Sequence, residues 1–178
     1  MKRFLRILPL AFYPYAYLVV ILVIVVTNGS DKQDLVEDTM LYLALIYNAY
    51  VLIYVIINSF VTASKKYNIK TVAVMNLFVK GIQIPAYIFH FIMGMCGMMM
   101  SVWGLGFIAF AIIIDLITII LTGINSIGCT VKMCREGAIN KRQAFFMGIG
   151  CFIYCIDVVI AVIYFIKAFA LSKKQQGL

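Results

Sequence analysis

The sequence predicts an all-α protein: a polytopic transmembrane helix bundle of about five spans, forming a single domain over residues 1–178. Three observations predict it. Of the 178 residues, 65% are hydrophobic and 12% charged, against roughly half and a quarter in ordinary globular chains, and the mean hydropathy is +1.05. The apolar residues come in runs of about 20 or more, each long enough to cross about 30 Å of hydrocarbon as a helix. Those runs lack the alternation of a β-barrel, so helices are the spanning structure that pairs every backbone group. The net charge of +8 does not point to nucleic acid. Lys and Arg sit in short clusters at the ends of apolar runs, as topology signals do, and no basic face carries interleaved aromatics.

The first run, about 7–27, follows the basic start KRFLR. It is longer than the apolar core of a signal peptide, begins with Pro9 and Pro14 among Tyr13, Tyr15 and Tyr17, and no small-residue cleavage site follows. It reads as a transmembrane helix, regular after Pro14, with the tyrosines at the interface. The polar loop 28–38 holds four acids and one lysine and belongs outside. Its Asn28-Gly29-Ser30 glycosylation pattern abuts the helix end and is set aside. The second run, about 39–62, puts Tyr47, Tyr54, Asn58 and Thr62 on one face with Val51. That is a helix-packing face with amide and hydroxyl bonds, or one wall of a polar cavity. Lys65, Lys66 and Lys70 mark a cytoplasmic turn.

Residues 71–131 are almost continuously apolar. At 1.5 Å per residue they would extend about 90 Å as one helix, so they must fold back once. The break belongs at 97–106, where glycines and a serine surround Trp103, an interfacial anchor type. This yields a third helix at about 72–96, containing Lys80, Gln83, His90 and the kinking Pro85, and a fourth at about 105–130. Met93, Met95 and Met98 to Met100 read as pliable packing around the outer turn. Lys132, Arg135, Lys141 and Arg142 mark a second inner loop. A fifth helix, about 144–166, contains Asp157. With the amino terminus cytoplasmic, this multi-pass arrangement in a cell membrane puts ten Lys/Arg inside and four outside. The exception is the tail, whose Lys167, Lys173 and Lys174 land outside.

The candidate site is polar and lies within the membrane. In the fourth run Asp115 is followed by Thr118, Thr122, Ser126 and Thr130 at steps of three and four, which place all five on one helix face. A carboxylate at mid-membrane costs on the order of 3 kcal/mol, which the surrounding Ile, Leu and Phe outweigh. Such residues pair with one another, face the bundle interior or line an aqueous path. Asp115 falls about 15 Å from one end of its helix and Asp157 about 20 Å from the other end of its own, both near the midplane. If the third helix enters the hydrocarbon at Val72, Lys80 reaches Asp115. If it enters near Val79, Lys80 snorkels to the surface and His90 comes level with both aspartates. Three readings follow: a Lys–Asp or His–Asp interaction that fixes packing, a proton- or cation-responsive site, or neutral aspartates hydrogen-bonded to Thr or Tyr. Thr118 and Thr122 also have the option of bonding back to their own helix.

No catalytic residue, cofactor or metal site is expected. The five cysteines include no CxxC, which removes quinone-linked disulfide oxidoreductases, and Cys151 and Cys155 at i and i+4 suit no disulfide. They read as small packing residues. One histidine cannot build a multi-histidine metal site. No GxSG, HExxH, paired-Glu protease or aspartate-rich transferase pattern is present.

The runs KGIQIPAYIFHFIMG (Lys80 to Gly94) and IIIDLITIILTGINSIG (Ile112 to Gly128) resemble an uncharacterised family of small polytopic membrane proteins from Gram-positive gut bacteria. The resemblance covers roughly Val79 to Lys167 and implies a bacterial membrane protein, with no activity to carry over to Asp115 or Asp157. Two function classes are therefore expected. One is a non-enzymatic membrane component, an accessory, immunity-type or binding subunit whose partners are the lipid bilayer and a membrane protein or a second copy. The other is a small transporter or channel with a responsive site at Asp115 and Asp157. Vitamin-importer subunits of this size usually have six helices and fit less well.

Overall fold

The computed structural model describes residues 2–29, 31, 33–64 and 67–175, with the backbone alone for 2–6, Trp103 and Gln175. The expectations for Ser30, Lys32, Lys65 and Lys66, and for the Trp103 side chain, lie outside the described residues. Those residues form a helix bundle without strands: α1 (Lys2–Ala11), α2 (Tyr13–Thr27), α3 (Gln33–Ala63), α4 (Ile69–Met99), α5 (Leu105–Arg135), α6 (Lys141–Gly150) and α7 (Ile156–Gln175). Each of α3, α4 and α5 has 31 residues and is long and apolar enough to cross a membrane; α2 is a shorter apolar helix.

The first run is two helices broken at Phe12, and proline chemistry accounts for the break. Pro14 has no N–H to give the Leu10 carbonyl four residues back. That carbonyl accepts instead from the Gln83 side-chain amide of α4 at 2.9 Å. One residue earlier, the Pro9 carbonyl accepts from the Tyr47 hydroxyl of α3 at 2.8 Å. An unpaired carbonyl in hydrocarbon costs several kcal/mol, so neighbouring helices must supply the donors. The tyrosines expected at the interface are consequently interior: Tyr13 and Tyr17 are buried, and both bond to Asn48.

α3 touches the bundle along the expected face, with Val51, Val55 and Thr62 buried and Asn58 donating to Asn125 of α5 at 2.7 Å. Its Leu, Ile and aromatic residues elsewhere are exposed. At Gly128 of α5 an added Cβ would collide with the Ser59 backbone, so the glycine permits the close approach of these two helices.

α4 and α5 form the central antiparallel pair. The chain turns between them through a short 3₁₀ segment, Ser101–Gly104, at the expected break. Gly104 lies so close to the Gly97 backbone that neither position tolerates a Cβ. Met95 and Met98 to Met100 are exposed and face outward from this turn. α4 runs on through Pro85 as a continuous helix, and the Ile82 carbonyl, three residues earlier, accepts from the Tyr15 hydroxyl at 2.6 Å.

The fifth run departs from expectation. A continuous helix over 144–166 is replaced by α6 and α7, separated by turns at 151–155, and the two helices run antiparallel. Lys167 Nζ donates to Gln143 Oε1 at 3.1 Å, whereas a straight helix would hold those residues about 36 Å apart. Gly148 and Gly150 weaken the helix where it ends, and Gly150 leaves the room that the Ile160 side chain fills. Cys155 carries the reversal at φ 64°, a left-handed conformation costly for a residue with a Cβ. The tip satisfies its own backbone, with Phe152 N on Ile149 O (3.0 Å), Ile153 N on Gly150 O (3.1 Å) and Ile156 N on Tyr154 O (2.8 Å). It reaches Tyr87 of α4, with the Tyr87 and Tyr154 rings 5.3 Å apart. Tyr87 is 18 residues past Ile69, about 27 Å along a helix of about 46 Å. The α6–α7 pair is thus a hairpin that enters and leaves at one end of the bundle.

That end is the basic one. Arg135 bonds to the Ala63 carbonyl and Lys132 to that of Ser64, while Lys70 lies over the Phe169 ring at 5.2 Å. The tail lysines Lys173 and Lys174 close α7 beside this cluster, not at the opposite end where a fifth crossing would put them. The acids of 28–38 lie at the other end, where α2 gives way to α3.

A candidate intramembrane polar site

One face of α4 carries Asn76, Lys80, Gln83, Tyr87 and His90 at alternating steps of four and three, and all five are buried. It meets the expected face of α5, on which Thr118, Thr122, Ser126 and Thr130 are buried and Asp115 is 16% exposed. The seam turns inward because polar groups in apolar helices are costly toward lipid, while Ile88, Ile92, Ile112 and Leu116 of α4 and α5 are exposed.

The centre of the seam is an ion pair. Lys80 Nζ lies 2.5 Å from Asp157 Oδ2, with the two side chains 0% and 1% exposed. The same ammonium donates to Thr122 Oγ1 at 2.5 Å, and Thr122 donates onward to the Thr118 carbonyl at 2.9 Å. Asp157 stands in the first turn of α7, where the helix dipole favours a carboxylate, and its Oδ1 accepts from Val158 N at 2.8 Å. The pair therefore ties α4, α5 and the hairpin tip together. The sequence places Lys80 either on Asp115 or at the surface; its partner is Asp157. The folded-back hairpin brings Asp157 to the level of Lys80, which a straight fifth helix would not do.

The second pair is His90 Nδ1 with Asp115 Oδ1, 2.6 Å apart, about 15 Å farther along α4. His90 is fully buried, its ring edge-on to Phe110, and its Nε2 has no partner among the described residues. The two aspartates thus belong to two sites. Asp115 opens on a groove of about 210 Å³ above the hairpin tip, bounded by Gly94, Met98, Ile108 and Tyr154.

Toward the basic end the seam continues as neutral bonds. The Ser126 hydroxyl lies 2.8 Å from both Asn76 Oδ1 and the Thr122 carbonyl, and the Thr130 and Tyr164 hydroxyls are 2.5 Å apart. Thr118 bonds to the Ile114 carbonyl of its own helix at 2.7 Å. Asn76, Tyr87 and Tyr164 are seam residues that the sequence did not point to. Asn76 was legible from its spacing of four before Lys80, whereas Tyr164 became a partner only through the hairpin. Among the described residues the cysteines are free, no group of His, Cys, Asp or Glu could hold a metal, and Cys129 and Cys151 pack in the core. Cys151 and Cys155 do not share a helix, because the chain turns between them.

No family model, no curated protein and no solved structure matches this chain.

Proposed function

We propose that this chain is a non-enzymatic integral membrane component, an accessory, immunity-type or binding subunit that acts through helix contacts. One observation carries the reading. The strongest charges inside the bundle are consumed by each other, since Lys80 and Asp157 are sealed from solvent and bonded to each other, to Thr122 and to Val158 N. Such a pair holds elements together and leaves nothing to bind a substrate. Partners are the bilayer and a membrane protein or second copy, met by apolar outer faces such as that of α3. The clustering of Lys70, Lys132, Arg135, Lys141, Arg142 and the tail lysines favours a cytoplasmic basic end, and α1 starts there.

A second reading, a small transporter or channel, is favoured by the His90–Asp115 pair, which opens on a groove and leaves Nε2 without a partner among the described residues. Half-helix ends at mid-membrane, as at Asp157, also build ion sites in transporters. Reconstitution separates the two. The first reading expects proteoliposomes of the wild type to hold an imposed proton or sodium gradient as well as empty ones do. A leak abolished by Asp115→Asn would replace it with the second.

A further inference from the structure

We propose that the groove on the outside of the α5–α6 pair is a site for an anionic phospholipid, with one acyl chain in the groove and the phosphate on Arg135 and Lys141. The groove measures about 580 Å³ and is walled by Ile127, Val131, Ala144, Phe145, Gly148 and Phe152. It forms where α6, with only 10 residues, meets α5 beside Ala144 and Gly148. At Gly148 an added Cβ would touch nothing within 4 Å.

Length and charge identify the occupant. From Lys141 to Phe152 the groove spans about 16 Å, half of the roughly 30 Å hydrocarbon thickness, and so matches one leaflet. Its apolar part lies toward the bundle centre, and its two cations lie at the end where headgroups sit. Arg135 gives one N–H to the Ala63 carbonyl at 3.0 Å and keeps the rest of its planar fork for a phosphate. Glu136 is the one acid in this part of the chain, and it is engaged by Lys132 at 2.6 Å. A basic pocket between helices at the membrane surface is the chemistry that selects anionic headgroups.

The test is native mass spectrometry of the detergent-purified full chain titrated with dioleoylphosphatidylglycerol or dioleoylphosphatidylcholine. One retained phosphatidylglycerol, and little phosphatidylcholine, is expected. Arg135→Gln with Lys141→Gln should weaken retention about thirtyfold, at the usual strength of two basic side chains near a headgroup. Gly148→Phe fills the groove without changing charge and should abolish retention. Lys173→Gln with Lys174→Gln removes equal charge from the α4 side and should leave it intact. Equal retention of the two lipids, an undiminished lipid in Gly148→Phe, or equal loss in the tail variant would each overturn the proposal.

Discussion

At the residue scale the informative fact is who partners Lys80. A lysine and an aspartate buried to within 1% of complete exclusion are tolerated because each also has a neutral partner, Thr122 for one and Val158 N for the other. Their net worth is small, since desolvation offsets attraction, but removing one member strands the other. Asp157→Asn and Lys80→Met should therefore each cost about 3–5 kcal/mol, measured as a loss of thermal stability in detergent. Replacing both with Leu and Met should cost markedly less than the sum. Additive losses would mean that the two groups do not depend on each other. The seven candidate residues that the sequence points to, Lys80, His90, Asp115, Thr118, Thr122, Ser126 and Asp157, all line one seam. Their membership was legible because charge and hydroxyls at steps of three and four stand out in apolar runs. Their pairing was not, because it depends on helix register and on a turn that periodicity does not encode.

At the element scale, glycine and proline explain where helices stop. Pro14 leaves the Leu10 carbonyl to Gln83, a bond between α1 and α4 that exists only because a donor is missing. Gln83→Leu should cost about 1–3 kcal/mol, the usual penalty of a stranded buried carbonyl. In a Pro14→Ala background, which restores the backbone donor, the same change should cost much less. A double-mutant cycle in a thermal assay measures the difference, and zero coupling would reject this account of the break. The expected fifth helix failed for the opposite reason. Its composition is as apolar as a span, and the signal against it was only the pair Gly148 and Gly150 ahead of Asp157. Two weak helix formers lower stability by about 1 kcal/mol each, enough to permit a turn and too little to announce one.

At the scale of the whole molecule, the hairpin changes what the ends of the bundle mean. With α7 folded back, the tail lysines join Lys70, Arg135 and Lys141, and the charge asymmetry that five crossings would spoil becomes consistent. In a cysteine-free background, single cysteines at Lys173 and Arg142 should react with an impermeant maleimide from the same face of the membrane. A cysteine at Asp31 should react from the opposite face. Labelling of Lys173 together with Asp31 would restore the fifth crossing.

What the sequence determined by itself is the solvent and the class: runs of about 20 apolar residues leave helices as the structure that pairs its backbone in hydrocarbon. It also determined the seam, since costly polar groups on one helix face must turn inward. The tertiary structure decided the pairings, the break at Phe12 and the fold-back at 151–155. Each of these is a competition between near-equal local alternatives, settled by a donor, a carboxylate or a glycine-sized space on another helix.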